Sequence, residues 1–202
     1  MTLILPVLMI LIFLAVVATN YAEGMWSNAI SLINFVTAAL LAVNFFEPLA
    51  NWLDGWQPTY TYVWDFISLW TLFCVFMLIF RILTDSISRV KVRFLKIADR
   101  IGSGILAAML GWAVVCFTMM TLHTAPMSRT FLFDGFQPKE KMVLGLAPDR
   151  QWLGFVKRTS EGVFSRSETR PFEPGSKFIS TYETRRSIIE AHIEKTNKLR
   201  VN

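Results

Sequence analysis

The sequence predicts an all-α membrane protein: four transmembrane helices followed by a small helical or irregular extramembrane tail. Three observations lead there. Four apolar runs, each long enough to cross about 30 Å of hydrocarbon or nearly so, fill residues 1–125. No Lys or Arg occurs before Arg81, so all 20 basic residues lie at or beyond it. In the fourth run small residues recur every fourth position, Ser103, Ala107 and Gly111, with Gly104 and Ala108 beside them. In lipid such a face lets another helix backbone approach closely. Residues 1–125 are therefore read as a four-helix membrane domain and 126–202 as a tail.

The first run, 3–18, is unbroken and includes Pro6. A signal peptide would want basic residues ahead of it, and none is present, so a retained helix is expected. The second span, about 29–46, carries Ser31, Asn34, Thr37 and Asn44 among small Ala38, Ala39 and Ala42. Polar groups on a span usually turn toward other helices. A loop over 47–62 follows, with Pro48, Gly55 and Pro58 as breakers. Its Trp52, Trp56, Tyr60 and Tyr62 read as an aromatic belt at headgroup level.

The third span, about 63–83, has Asp65 near its start, read as an interfacial anchor. Arg81 and Asp85 stand at i, i+4 near its end and should pair. Next comes a basic loop with Arg89, Lys91, Arg93, Lys96 and Arg100, interleaved with Val90, Val92, Phe94, Leu95 and Ile97. It reads as a helix lying apolar side down on anionic headgroups, each basic residue adding roughly 1 kcal/mol. The fourth span, about 101–122, begins behind Asp99-Arg100. Asp99 suits the positive end of that helix, Arg100 suits phosphate headgroups, and His123 reads as a cap at the far end.

From Thr124 the composition is that of a water-exposed region. Asp149 is expected to cap a helix over 150–164 with Trp152, Phe155, Val156, Thr159 and Val163 on one face. A second helix should begin at Thr181 or Tyr182, with Ile188, Ile189 and Ile193 apolar. Two such helices bury little surface alone, so the tail should pack on the membrane domain, on lipid or on a partner.

Short loops set orientation. The third loop is basic and the second has no Lys or Arg, so the third is expected on the cytoplasmic side. Both termini are then extracytoplasmic. The tail holds 14 of the 20 basic residues, but long segments are weakly read during insertion.

Asp99-Arg100 followed by Ser103, Ala107 and Gly111 resembles a pattern of the colicin V production (CvpA) family of bacterial inner-membrane proteins. Gly24-Met25-Trp26, leading to Ala29-Ile30-Ser31-Leu32, is similar to that family's glycine-led start of the second span. The likeness covers about 1–125. Two positions depart from the pattern: Glu23 stands where a basic residue is usual, and Ile97-Ala98 where glycine is. The tail has no counterpart in it, so the chain reads as a divergent member with an added tail. The resemblance implies an inner-membrane protein needed for production or export of a peptide toxin. Some relatives carry a serine protease behind the same membrane part. This tail has one histidine, His192, and no Gly-x-Ser-x-Gly elbow.

No catalytic set emerges. His123 and His192 stand alone, no metal-ligand spacing occurs, and Gly102-x-Gly104 lacks a preceding strand and a third glycine. Cys74 and Cys116 lie inside spans and read as small hydrophobes. The basic residues form no stacking face or known nucleic-acid module. The expectation is a non-enzymatic scaffold or accessory protein, with no cofactor, metal or nucleic acid. It would work in lipid with an envelope or export protein or with further copies of itself. A small-solute channel built from several copies is the alternative, with Asn34, Asn44, Ser68, Thr71 and Thr118 as the only lining candidates.

Overall fold

The structure is a computed structural model and describes residues 3–87, 95–127, 136, 142–143, 145–161 and 177–200. Six helices account for it: α1 (Ile4–Tyr21), α2 (Met25–Trp56), α3 (Thr61–Ile87), α4 (Lys96–Thr124), α5 (Pro148–Glu161) and α6 (Phe178–Arg200). The first four are long and apolar enough to cross a membrane. Helices suit that setting because every backbone donor and acceptor inside them is satisfied within the segment. Hydroxyls follow the same rule. Thr84 bonds back to the Phe80 carbonyl at 2.8 Å, Thr121 to Thr118 at 2.8 Å and Thr124 to Thr121 at 2.8 Å.

The spans are longer than the apolar runs alone indicate. α2 continues through Pro48 to Trp56, where the sequence pointed to a loop. Proline withholds a single backbone donor, and Gly55 falls in the last turn, so neither ends the helix. Only Gln57 and a 3-10 turn, Pro58–Tyr60, separate α2 from α3. Trp52, Trp56, Tyr60 and Tyr62 are exposed. Arg81 and Asp85 pair at 3.0 Å on the surface of α3.

α4 is the central helix. α1 lies along one side of it, α2 along another, and α3 is held mainly through α2. α1 and α4 run antiparallel: Tyr21 meets the start of α4, Phe13 meets Gly111, and Leu5 clusters with Met119. α1 therefore begins on the side where α4 ends, the side from which the tail leaves. The small-residue face of α4 is the contact with α1. Ser103, Ala107 and Gly111 are buried. A Cβ at Gly111 would lie 3.1 Å from Phe13 Cδ2 and 3.3 Å from the Phe13 carbonyl oxygen. A Cβ at Gly104 would touch the Tyr21 ring at 3.5 Å. Gly102 is tighter still, since any side chain there would collide with Met25.

The tail shares the membrane domain's core. Trp152, Leu153 and Val156 of α5, with Phe178 and Tyr182 of α6, join one buried cluster with Phe35, Phe46, Leu69 and Phe117. Phe35, Trp70, Phe73, Phe117 and Trp152 pack ring against ring and link α2, α3, α4 and α5. The buried face of α5 is turned from the expected one, with Leu153 inside and Phe155 exposed.

Replacing Gly111 with Leu should separate α1 from α4, because the Phe13 backbone cannot yield as a side chain end can. A loss of about 1–3 kcal/mol is expected, read as a lower unfolding temperature in detergent. An unchanged transition would contradict this packing.

Candidate functional site

Two polar constellations stand at opposite ends of α4. The first begins with Gly24. It precedes α2 with φ of 91°, a backbone conformation that favours glycine. The start of a helix leaves backbone N–H groups without partners. Asp99 supplies one: its Oδ1 accepts the Met25 N–H at 2.9 Å across 74 residues. Asp99 thus lies in the first turn of α4, as expected, but its carboxylate caps α2 rather than its own helix. Its backbone N–H already bonds the Leu95 carbonyl at 2.9 Å, and Leu95 is the N-cap residue of α4. The carboxylate lies in the first turn of α4 and against the start of α2, so two positive helix ends favour its charge.

Asn28 sits one turn deeper and is fully buried. Its Nδ2 donates to the Asn20 carbonyl at 3.0 Å, to Ser103 Oγ at 2.9 Å and to the Ser103 carbonyl at 3.2 Å. Ser103 Oγ donates in turn to the Tyr21 carbonyl at 2.8 Å. The end of α1, the start of α2 and the start of α4 are thus tied at one point. Ser103, expected only as a small packing residue, is also a hydrogen-bonding one. Asn28 escaped notice in the sequence, where four other polar residues of the same span were considered. The available signal was its place one helical turn after Gly24.

The residues singled out from the sequence divide accordingly. Asp99, Ser103, Gly104 and Gly111 meet α1 or the start of α2, and Ala107 is fully buried one turn from Ser103 and from Gly111. Arg100 is exposed and does not join this cluster. Lys96 is exposed in the first turn of α4, whereas Arg89, Lys91 and Arg93 lie outside the described residues. Asn34 is engaged, its Nδ2 donating to Thr84 Oγ1 at 3.0 Å, and Asn44 donates to the Leu40 carbonyl of its own helix at 2.9 Å.

The second constellation holds the tail. His123 is not a helix cap at the interface. It is 1% exposed, and its Nε2 lies 3.0 Å from Oδ2 of the fully buried Asp149. Nor does Asp149 cap α5. The Arg150 and Gln151 N–H groups bond the Ala147 carbonyl, each at 3.1 Å, and Pro148 takes the first helical position. Asp149 is free to reach α4. Asp65 differs from a solvated anchor as well. It is buried and accepts from Tyr182 Oη at 3.0 Å and from the Arg185 guanidinium. Burial, then the Asp65 carboxylate, pushes the Tyr182 phenol well above its ordinary range, so Tyr182 stays a donor.

Arg186 is 3% exposed. Its Nε donates to the Met127 carbonyl at 2.8 Å, with a longer contact of 3.5 Å from Nη2 to the Leu122 carbonyl. Its guanidinium stands 4.7 Å from the centre of the Phe136 ring. A basic side chain on the last carbonyls of a helix meets its negative end, so α6 caps α4. Phe178, Tyr182, Arg185 and Ile189, at i, i+4, i+7 and i+11, are the periodic signal for the face that docks.

These groups hold one helix against another. Asp65, Asp99 and Asp149 each meet a polar group on another helix. Among the described residues no three His, Cys, Asp or Glu side chains stand close enough to hold a metal ion. A small cleft at the tail side is lined by Tyr62, His123, Thr124, Tyr182, Arg185 and Arg186.

Four membrane-length helices around a small-residue contact, with an engaged polar cluster at each end, define a multi-pass helical membrane protein. The family model of the colicin V production protein matches residues 5–137. The chain belongs to that family. No curated protein and no solved structure matches it.

Asp99→Ala removes the acceptor for Met25 and should lower stability by about 0.5–2 kcal/mol, while Asp99→Asn keeps an acceptor oxygen and should lose less. Thermal unfolding of both variants in detergent checks the order. Equal losses would contradict the capping role.

Proposed function

We propose that the chain is a bacterial inner-membrane scaffold or accessory protein that acts by binding an envelope or export protein, not by catalysis. The observation that carries this reading is the engagement of polar groups in and beside the spans. Asn28, Asn34, Ser103, Asp65 and Asp99 all bond to another helix. A transport path would instead need polar groups lining one route at mid-membrane or broken helices. The docked tail supports the same reading, since α5 and α6 present a fixed surface to a partner.

In this proposal the basic third loop lies on the cytoplasmic face. α1 begins and the tail docks on the opposite side, so the partner is met outside the cytoplasm. The family's association with colicin V production supports a role in making or exporting a toxin, or in keeping the envelope intact while that happens.

Cross-linking in native membranes with mass spectrometry, together with a flux assay on reconstituted protein, tests the proposal. The expected result is an adduct with a different envelope protein through residues 126–202, and no solute flux. Self-adducts alone, with a flux that Asn34→Leu and Asn44→Leu abolish, would establish the channel instead.

A further inference from the structure

α3 is short for the membrane that α1 spans. α1 carries no charged residue over its 18 positions, about 27 Å at 1.5 Å per residue, close to the thickness of a hydrocarbon core. On α3 only residues 66–80 separate Asp65 from Arg81, a stretch of about 22 Å. Contacts between helices show where the deficit falls. Ser103 donates to the carbonyl of Tyr21, the last residue of α1, and accepts from Asn28. The end of α1 and Asn28 of α2 therefore share one level. Asn34 lies six residues further along α2, about 9 Å deeper, and there it bonds Thr84 of α3. The turn between the two helices keeps the same register, since Trp56 ends α2 22 residues beyond Asn34 and Thr61 begins α3 23 residues before Thr84. By that register Arg81 stands about 14 Å inside the level where α1 ends, and Asp85 about 8 Å inside it.

The two ends of α3 differ in cover. Asp65 is buried under Tyr182 and Arg185 of α6. Arg81 and Asp85 are 52% and 63% exposed and pair with each other at 3.0 Å, Nε to Oδ2. Leu78 and Ile82, on the same side of the helix, are exposed as well. Charged side chains inside a bilayer are costly and mark functional positions. A span shorter than the bilayer can be accommodated by thinning the lipid beside it. The direction of the pair agrees with that. Arg81 reaches toward Asp85, the shallower of the two, so its guanidinium points to the nearer headgroups.

Among the described residues the pair has no other partner. The terminal guanidinium nitrogens of Arg81 remain as donors, and Asp85 Oδ1 remains as an acceptor. A guanidinium binds phosphate, and a carboxylate accepts from an ammonium. Phosphoethanolamine carries both complements in one small group. We infer that Arg81 and Asp85 bind the headgroup of a phosphoethanolamine lipid, drawn below the surface of its leaflet against the outer face of α3. The phosphate meets Arg81 and the ammonium meets Asp85. A headgroup held at this depth thins the leaflet beside α3, while α1, uncharged throughout, keeps the full thickness around it. The site is at the end of α3 away from the tail, so neither flux nor partner capture decides it.

The test uses the full chain with Cys74 replaced by Ser, in vesicles of phosphatidylethanolamine with phosphatidylglycerol. Ile82→Cys and Leu14→Cys each take a nitroxide label, at positions that are exposed and at about the same level. The inference expects the label at 82 to relax with a water-soluble nickel chelate and the label at 14 with oxygen. Native mass spectrometry of protein released from these vesicles should show retained phosphatidylethanolamine. That adduct should be lost in the Arg81→Leu, Asp85→Leu double variant. Phosphatidylcholine, whose quaternary ammonium has no N–H to give Asp85, should not replace it. A label at 82 that favours oxygen as the one at 14 does would overturn the inference, as would one shielded from both reagents by another protein surface. A water-accessible label with no retained lipid would put water alone at the pair and overturn the headgroup. An adduct that survives the double substitution, or forms equally with phosphatidylcholine, would do the same. The comparison of 82 with 14 leaves the pair intact, so it decides even where the double variant does not fold.

Discussion

A helix that starts at a membrane surface leaves N–H groups without partners, and here one carboxylate from elsewhere in the chain meets that need. Asp99 accepts the Met25 N–H. In doing so it brings the starts of α2 and α4 to the same level. One turn deeper, Asn28 and Ser103 add the end of α1 to the same point. Once that level is set, the small residues of α4 fall opposite α1, with Gly104 against Tyr21 and Gly111 against Phe13. The close packing of the spans therefore depends on a polar contact at their edge.

The other end of α4 is held by the opposite charge. Arg186 reaches carbonyls at and just beyond the end of the helix, and His123 and Asp149 pair in its last turn. α4 is thus joined to α2 at its start by an acid and to α6 at its end by a base, the signs that a helix dipole favours. Asp65 with Tyr182 and Arg185 fastens α6 to α3 as well. Removing either partner of such a buried contact leaves a desolvated group, which costs more than the intact bond contributes. These polar contacts, together with Trp152, Leu153, Val156, Phe178 and Tyr182 in the shared core, keep the tail on the membrane domain.

Much of this was legible in the sequence, for identifiable reasons. Spans announce themselves by apolar length, and the α1–α4 contact by small residues at a four-residue period. Gly24 and Asp99 both stood out as family positions. That they meet each other was not visible, because periodicity describes one helix and says nothing of which helices are neighbours. The same limit concealed Asp65, whose partners lie 117 and 120 residues away. His123 and Asp149 each looked complete as a local cap, and each turned out to serve the other. Pro48 misled in the reverse direction: a breaker in water-exposed sequence is tolerated in a long apolar helix, where the remaining bonds have no competing solvent.

The central claim is that Asp99 holds the start of α2. Hydrogen–deuterium exchange at the Met25 amide, in the full chain in lipid nanodiscs, examines it most directly. Slow exchange in the wild type, much faster exchange in Asp99→Ala and an intermediate rate in Asp99→Asn are predicted. A Met25 amide that exchanges equally fast with and without the Asp99 carboxylate would contradict the account.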